Sequence, residues 1–391
     1  MKKEMIYFGE PNIGEDEIHA VERVLRSKWI GFGKESVAFE QEIKTYVNAR
    51  HGVLVNSCTS ALHLAVILAG VKEGDEVITT PFTFAATANV ILYRGAKPVF
   101  VDVRADTFNI DENKIVQAIT PKTKAIIVVH FGGLPCNMAK INAIAKKHNL
   151  IVIEDAAHAI GAKIGQKMIG DSKNFVCFSF YSNKNLTSIE GGFLTVRNKD
   201  EALRAEQLRL HGLSNDAWKR FSDKKTLINE VAELGHKHNI TDVQSAVGRV
   251  QLKKYEKNFI QREKIIKLYD SILFNVPNIS FQVRPSSEKM RSSVHLYMIK
   301  LNPEKFRVSR DEIVHALRDE GIFAVVHYHP IHLHKFYRDT LGHKKGGFPI
   351  AETIAENVFT LPLLPQLPAG KSKWIAEKTR EVLLQFQFDK K

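Results

Sequence analysis

The sequence predicts an α/β fold, with a large domain on a mainly parallel sheet and a smaller carboxy-terminal α/β domain. Short β-branched apolar runs alternate with helical patterns from about Ile13 to Val247, the pattern of parallel strands covered by helices on both faces. After Thr241 the texture changes to one long amphipathic periodicity. The 391 residues, 44% hydrophobic and 25% charged, supply apolar material for more than one core. The boundary is expected near residue 250, dividing a large domain, 1–250, from a small one, 251–391.

HGVLVNS (His51–Ser57) predicts a buried strand, and SALHLAVILAG the helix that follows it. DEVITTP, AKPVFVDV, TKAIIVVHF and LIVIEDA are further strands, with DENKIVQAI and MAKINAIAKKH as helices between them. Beyond the boundary, RSSVHLYMIKL and IFAVVHYHP read as strands and RDEIVHALRDEG as the helix joining them.

No run reaches the roughly 18 apolar residues of a membrane helix. The opening MKKEMIYFGEPNIGEDE has a basic start without an apolar secretory region. Cys58, Cys136 and Cys177 form neither a metal pattern nor an even disulfide framework, which suits a reducing cytoplasm. Lys and Arg outnumber Asp and Glu by 56 to 43, a formal net charge of +13. That surplus is dispersed, and runs such as Lys253-Lys254 and Lys344-Lys345 are short. A solvated surface is favoured over a nucleic-acid footprint, and an anionic substrate is compatible with it.

VIEDAAHAIGA places Glu154, Asp155 and His158 at the carboxyl end of a strand, where open α/β sheets bind ligands. The acids either cap a following helix or face a cationic ring nitrogen. VNSCTSALHL sets Ser57, Cys58, Thr59 and Ser60 at a helix start, where free N–H groups suit an anion such as phosphate, or where Ser and Thr act only as caps. Neither a Walker loop nor a GxGxxG fingerprint is present. TTPFTFAATAN puts Phe82 and Phe84 past another strand end, available for the core or for stacking on a flat cofactor. FSFYSNKNLTSIEGG sets Lys184 after a short hydrophobic strand. A lysine for a Schiff base, a carboxylate for a pyridinium nitrogen and a phosphate anchor are together what pyridoxal phosphate requires.

These segments, collinear with EPNIGEDEI, FVDVRADTFNID, ITPKTKAIIVVHFGG, GHKHNITDVQSAVG and LPLLPQL, resemble the DegT/StrS family of pyridoxal-phosphate-dependent nucleotide-sugar aminotransferases over nearly the whole chain. The resemblance implies a type I PLP-dependent aminotransferase-like fold. It makes Lys184 the Schiff-base lysine and Asp155 the partner of the ring nitrogen. His158 would sit near the cofactor's 3-oxygen and Phe84 would stack on the ring. Cys58, Thr59 and Ser179 would cradle the phosphate. In GHKHNIT, Lys237 or Asn239 would reach the phosphate of a neighbouring subunit, so a homodimer with shared sites is expected. Two positions depart from the family pattern: Cys58 and Ile189 stand where it has glycine, and a different local turn is expected at Ile189.

VHYHPIHLHKFYR (Val326–Arg338) resembles the HY-x-P-x-H segment of relatives acting on 4-keto sugars, often UDP-linked. His327, Tyr328 and His332 are therefore the substrate-side candidates. No carboxylate or cysteine completes a metal spacing among the histidines from His327 to His334, and no metal is expected. The implied reaction moves an amino group from an amino acid, glutamate by preference, to a nucleotide-linked keto sugar for surface polysaccharide or glycoconjugate biosynthesis. Lys184 argues against the relatives that carry histidine there and dehydrate sugars. A non-catalytic regulator or a nucleic-acid-binding protein on the same fold is the alternative from another class.

Overall fold

The computed structural model describes residues 5–213, 230–284 and 289–388. Its central sheet has seven strands in the order β1 (His51–Val55), β9 (Gly192–Val196), β8 (Phe175–Ser179), β5 (Ile151–Asp155), β4 (Thr123–Val129), β2 (Glu76–Thr79) and β3 (Lys97–Phe100). The β8–β5, β5–β4, β4–β2 and β2–β3 pairs are parallel, and β9 runs antiparallel to both its neighbours. The α/β expectation holds.

The period-two alternation of strands divides the core. Val53, Val55, Ala125, Ile127, Ile153, Phe175, Cys177 and Leu194 pack with helix α3 (Cys58–Leu68) on one face. Their neighbours Leu54, Val176, Phe178 and Phe193 face the other way, toward α2 (Lys34–Tyr46), while Ile126, Val128 and Val152 face α5 (Met138–Lys147). Helices α4 (Ala86–Leu92) and α6 (Lys199–Leu208) complete the flanking layers, and α1 (Glu15–Ser27) packs through Ala20 and Val24 against Val243, Ala246 and Val250.

The long periodicity is a single helix, α7 (Asp242–Leu273), opened by a capping box between Thr241 and Gln244. Asp242 also caps α2: its carboxylate accepts from the N–H groups of Gly33 (2.7 Å) and Ser36 (2.9 Å). Helix α7 passes residue 250 without a break. Its second half enters another core, where Ile265, Tyr269 and Leu273 meet Ile313, Leu317, Ile375 and Leu383 under an antiparallel sheet. That sheet orders β10 (Ile279–Phe281), β12 (Tyr297–Leu301) and β13 (Val358–Leu361). Short strands β6 (Lys163–Ile164), β7 (Lys167–Met168) and β11 (Met290–Arg291) form a third sheet.

Two expected elements do not form. DENKIVQAI contains only a 3₁₀ turn at Val116–Ala118, because Asp111 ties back the N–H of Asn113 and keeps the backbone in turns. IFAVVHYHP is not a strand. It makes isolated bridges at Ile322 and Val325 without a continuous ladder; Ile322 and Ala324 enter the small core, while Tyr328 packs against a separate apolar cluster with Phe82 and Phe131. The strand beside β12 is instead β13, whose last residue, Leu361, opens LPLLPQL.

Candidate active site

The site lies at the carboxyl edge of the parallel strands. Alternation along β5 separates its two acids. Glu154 turns away into a buried network with His130 Nε2 (2.9 Å), Ser172 Oγ (3.0 Å) and Asn174 Nδ2 (2.8 Å). Asp155 turns toward α3. Turns rather than a helix follow β5, so Asp155 caps no helix. It accepts instead from the Ala157 N–H (3.1 Å) and the Thr87 hydroxyl (2.8 Å). Because Thr87 spends its proton on Asp155, Thr83 is the donor in the 2.9 Å bond between the two threonines. Burial raises the Asp155 pKa, and Thr87, Ala157 and Lys184 pull it back down. Sequence reasoning missed Thr87, although Thr83 and Thr87 stand one helical turn apart in TFAAT.

Lys184 sits on the loop between β8 and β9. The base of the loop is closed by Phe180 N–H to Gly191 O (2.8 Å) and Ser188 N–H to Phe180 O (2.9 Å). The next residue, Asn185, is clamped by Ser293 O (2.7 Å) and His295 Nδ1 (3.0 Å). Burial lowers the Lys184 ammonium to about 8, with only partial opposition from Cys58 and Asp155. Ile189 occupies the left-handed region (φ 72°), the conformation glycine takes without steric cost. The different turn expected there is therefore not required: the loop holds a β-branched side chain in a glycine-type conformation, and that side chain is half exposed.

At the start of α3, Ser57 Oγ caps the Ser60 N–H (3.1 Å). The N–H groups of Cys58 and Thr59 belong to the first helical turn and have no intrahelical acceptor. The Cys58 thiol turns inward, with Sγ 3.6 Å from Cys177 O and 4.0 Å from Asp155 Oδ1, and burial keeps it neutral. Gly192, which opens β9, lies so close that a Cβ there would fall 2.5 Å from Ser57 C and 2.7 Å from Cys58 N.

A cavity of about 520 Å³ gathers Cys58, Thr59, Phe84, Asp155, His158, Ser179, Lys184, His327 and Tyr328. Phe84 is 63% exposed, its ring 6.0 Å from that of Tyr328. His158 Nδ1 accepts from the Gly132 N–H (3.3 Å), which leaves Nε2 to carry the proton, 3.3 Å from the Tyr328 hydroxyl. Burial holds His158 well below its ordinary value and His327 at about 3, so both rings are neutral near pH 7. His327 Nδ1 is 3.0 Å from Thr360 Oγ1.

Three predicted residues are not brought there. His332 is fully buried with Nε2 2.9 Å from Glu352 Oε1. It lies outside the cavity that holds His327 and Tyr328, turned toward a carboxylate that also accepts from the N–H groups of Phe348 (Oε1, 3.1 Å) and Gly346 (Oε2, 2.8 Å). Lys237 is exposed, its carbonyl accepting from Asn56 Nδ2 (3.3 Å), and Asn239 is half-buried beside it.

The donor set fits pyridoxal 5′-phosphate. Two free helix-start N–H groups suit a phosphate dianion, a desolvated carboxylate calls for a cationic partner, and a lysine with a lowered pKa faces both.

The DegT/DnrJ/EryC1/StrS aminotransferase family model matches residues 11–380. The chain belongs to this family. Among its DegT relatives, the spore coat polysaccharide biosynthesis protein SpsC of Bacillus subtilis is 40% identical over 375 residues, 95% of this chain and 96% of SpsC. Spr1654 of Streptococcus pneumoniae, described as a sugar aminotransferase and solved in its PMP form, superposes with a TM-score of 0.90 at 32% identity, covering 97% of this chain and 99% of that one. Helicobacter pylori PseC, an aminotransferase involved in the biosynthesis of pseudoaminic acid, gives 0.89 at 31% identity over 98% of this chain and 100% of its own. No helix among the described residues is long and apolar enough to cross a membrane.

Proposed function

We propose that this DegT-family aminotransferase uses pyridoxal 5′-phosphate to move an amino group from glutamate to the keto group of a nucleotide-linked sugar, a UDP-linked 4-keto sugar by preference. The observation that carries the reading is the convergence of Lys184, Asp155 and the α3 start on one cavity. When bound, the cofactor supplies an electron sink for breaking a C–H bond beside nitrogen. The chain's own groups do the rest. The Cys58 and Thr59 N–H groups and Ser179 hold the phosphate. Asp155, kept in place by Thr87, sets a negative charge against the ring nitrogen. Phe84 covers the ring, and His158 Nε2 offers its proton toward the 3-oxygen. Lys184 Nζ, with a pKa of about 8, moves the proton to and from the reacting carbon at a pH near neutrality.

His327 and Tyr328 line the same cavity and are assigned to the sugar. The name of SpsC, a spore coat polysaccharide biosynthesis protein, supports a product destined for a surface polysaccharide or glycoconjugate. In this reading the enzyme is a cytoplasmic homodimer, with Lys237 or Asn239 completing the partner's phosphate site.

Two experiments test the proposal. Borohydride reduction of the holoenzyme followed by peptide mapping should place the pyridoxyl mass on Lys184; a label on another lysine removes the assignment. A panel of UDP- and dTDP-linked 3-keto and 4-keto sugars, assayed for 2-oxoglutarate release from glutamate, should show turnover with a nucleotide sugar. Turnover confined to free keto sugars or keto acids would overturn the substrate class.

A further inference from the structure

We propose that His63, His236 and His238 form a binding site for a divalent first-row transition ion, with zinc the best match. His63 stands on α3, and the other two flank Lys237 on the segment leading to α7. One ligand nitrogen from each lies within 4.8 Å of the others. His63 Nδ1 and His238 Nε2 are already 3.2 Å apart. Two zinc–nitrogen bonds of about 2.0–2.1 Å at a tetrahedral angle subtend about 3.3 Å. The His236 ring stacks on that of His238 (17°, centroids 5.1 Å apart) and lies 4.5 Å from the centroid of His63.

Hydrogen-bond bookkeeping around His238 favours ligation. Asn56 Nδ2 donates to Lys237 O (3.3 Å), which orients its Oδ1 as the acceptor for the Ser60 hydroxyl (2.6 Å). With its proton committed, Ser60 Oγ accepts from His238 Nδ1 (3.0 Å). His238 therefore carries its proton on Nδ1, and the Nε2 lone pair faces His63. Metal-bound histidines are oriented by this kind of outer hydrogen bond. A simple His63-to-His238 hydrogen bond would use the same two nitrogens, but it gives no role to His236. Burial and the neighbouring rings hold His63 and His238 at about 4, so both rings are neutral, as a ligand must be, at pH 7.

The set contains no thiolate or carboxylate, and Arg94 is close enough to depress both His63 and His236. Affinity should therefore fall short of that of a cysteine-rich zinc site. An ion held here would pin the segment carrying Lys237 and Asn239 to α3, the helix whose start cradles the phosphate. That consequence rests on the proposed shared site; the ion site does not.

The test uses the full-length, tag-free holoenzyme, treated with chelator and dialysed. Calorimetric titration with Zn²⁺ alone should give one ion per chain, and Co²⁺ alone should give the visible band of a tetrahedral site. Affinity should fall at least about tenfold, equal to ~1.4 kcal/mol, in His63→Ala and in His238→Ala. His329→Ala, from the separate His329–His334 pair, should bind as wild type. Zn²⁺ should raise the thermal midpoint of the wild type and not of His63→Ala. Absence of a stoichiometric ion in the wild type, or full affinity retained in the His63→Ala/His238→Ala double variant, overturns the proposal. Should that double variant fail to fold, His236→Gln at a half-buried position decides: weakened binding supports the site, unchanged binding overturns it.

Discussion

Lys184 keeps a cation out of bulk water, and the stability of the chain should record that. Its pKa of about 8 lies below the ordinary 10.5. Between those values the unfolded chain binds more protons than the folded one, so stability rises with pH. Below pH 8 the full cost is present. The apo form of Lys184→Met should therefore be more stable than the apo wild type by about 3 kcal/mol at pH 7, with the gap closing toward pH 10.5. Urea unfolding of both proteins across that range checks it, and a gap that does not change with pH would refute the cause. Thr87→Val keeps the shape of the side chain but removes one of the two hydrogen bonds holding Asp155. The carboxyl, already raised by burial, should rise further. kcat/KM should fall about tenfold, with the acid limb of the pH profile moved upward; Thr87→Ser should restore both. The placement of Lys184 and Asp155 was legible in the sequence because Asp155 ends one short apolar strand and Lys184 lies just past another. Thr87 was not, since a threonine at a helix start is ordinary and its partner lies far along the chain, on β5.

At the scale of elements, strand β9 and helix α3 meet without room for a side chain. In Gly192→Ala the new Cβ would press on Ser57 and Cys58 backbone atoms, which cannot rotate away. The variant should lose about 1–3 kcal/mol of stability and bind pyridoxal phosphate at least about tenfold more weakly, measured by urea unfolding and by cofactor titration. Unchanged cofactor affinity would show that the α3 start is not the cradle. Ile189→Gly should have the opposite sign. The left-handed backbone costs a non-glycine residue about 1–2 kcal/mol, and glycine's freedom in the unfolded chain returns about 0.5–1. The half-exposed side chain is little missed, so a net gain of about 0.5–1 kcal/mol is expected in the same unfolding assay. The parallel strands were legible because both their faces are buried and their apolar runs are continuous. DENKIVQAI misled because its apolar spacing suits a helix while Asp111 and Asn113 hold a turn. IFAVVHYHP misled because β-branched composition favours strands, while here only Ile322 and Val325 find bridge partners and no ladder extends between them. His332 does not line the cavity with His327 and Tyr328: proximity in the chain does not show which way a ring turns.

For the whole molecule, the proposed dimer yields a mixing experiment. Lys184→Ala and the Lys237→Ala/Asn239→Ala variant should each be inactive alone. If the segment serves the partner, a heterodimer holds one site with both defects and one with neither, and activity should partly return. No recovery despite demonstrated subunit exchange would assign the segment to its own chain. The direction of β9 has a further consequence. A parallel neighbour for β8 would require a crossover of a dozen or more residues, usually through a helix, to the opposite edge of the sheet. Antiparallel β9 instead lets the chain leave β8 and re-enter the sheet at the same rim, so the loop bearing Lys184 is tied at both ends to adjacent strands. The amine is thus kept at high local concentration over the cavity as soon as the sheet has formed. Cofactor binding then has little chain left to order. Calorimetry across temperatures should find a heat-capacity change set by the buried face of the ligand, without the much greater change that accompanies folding of a segment.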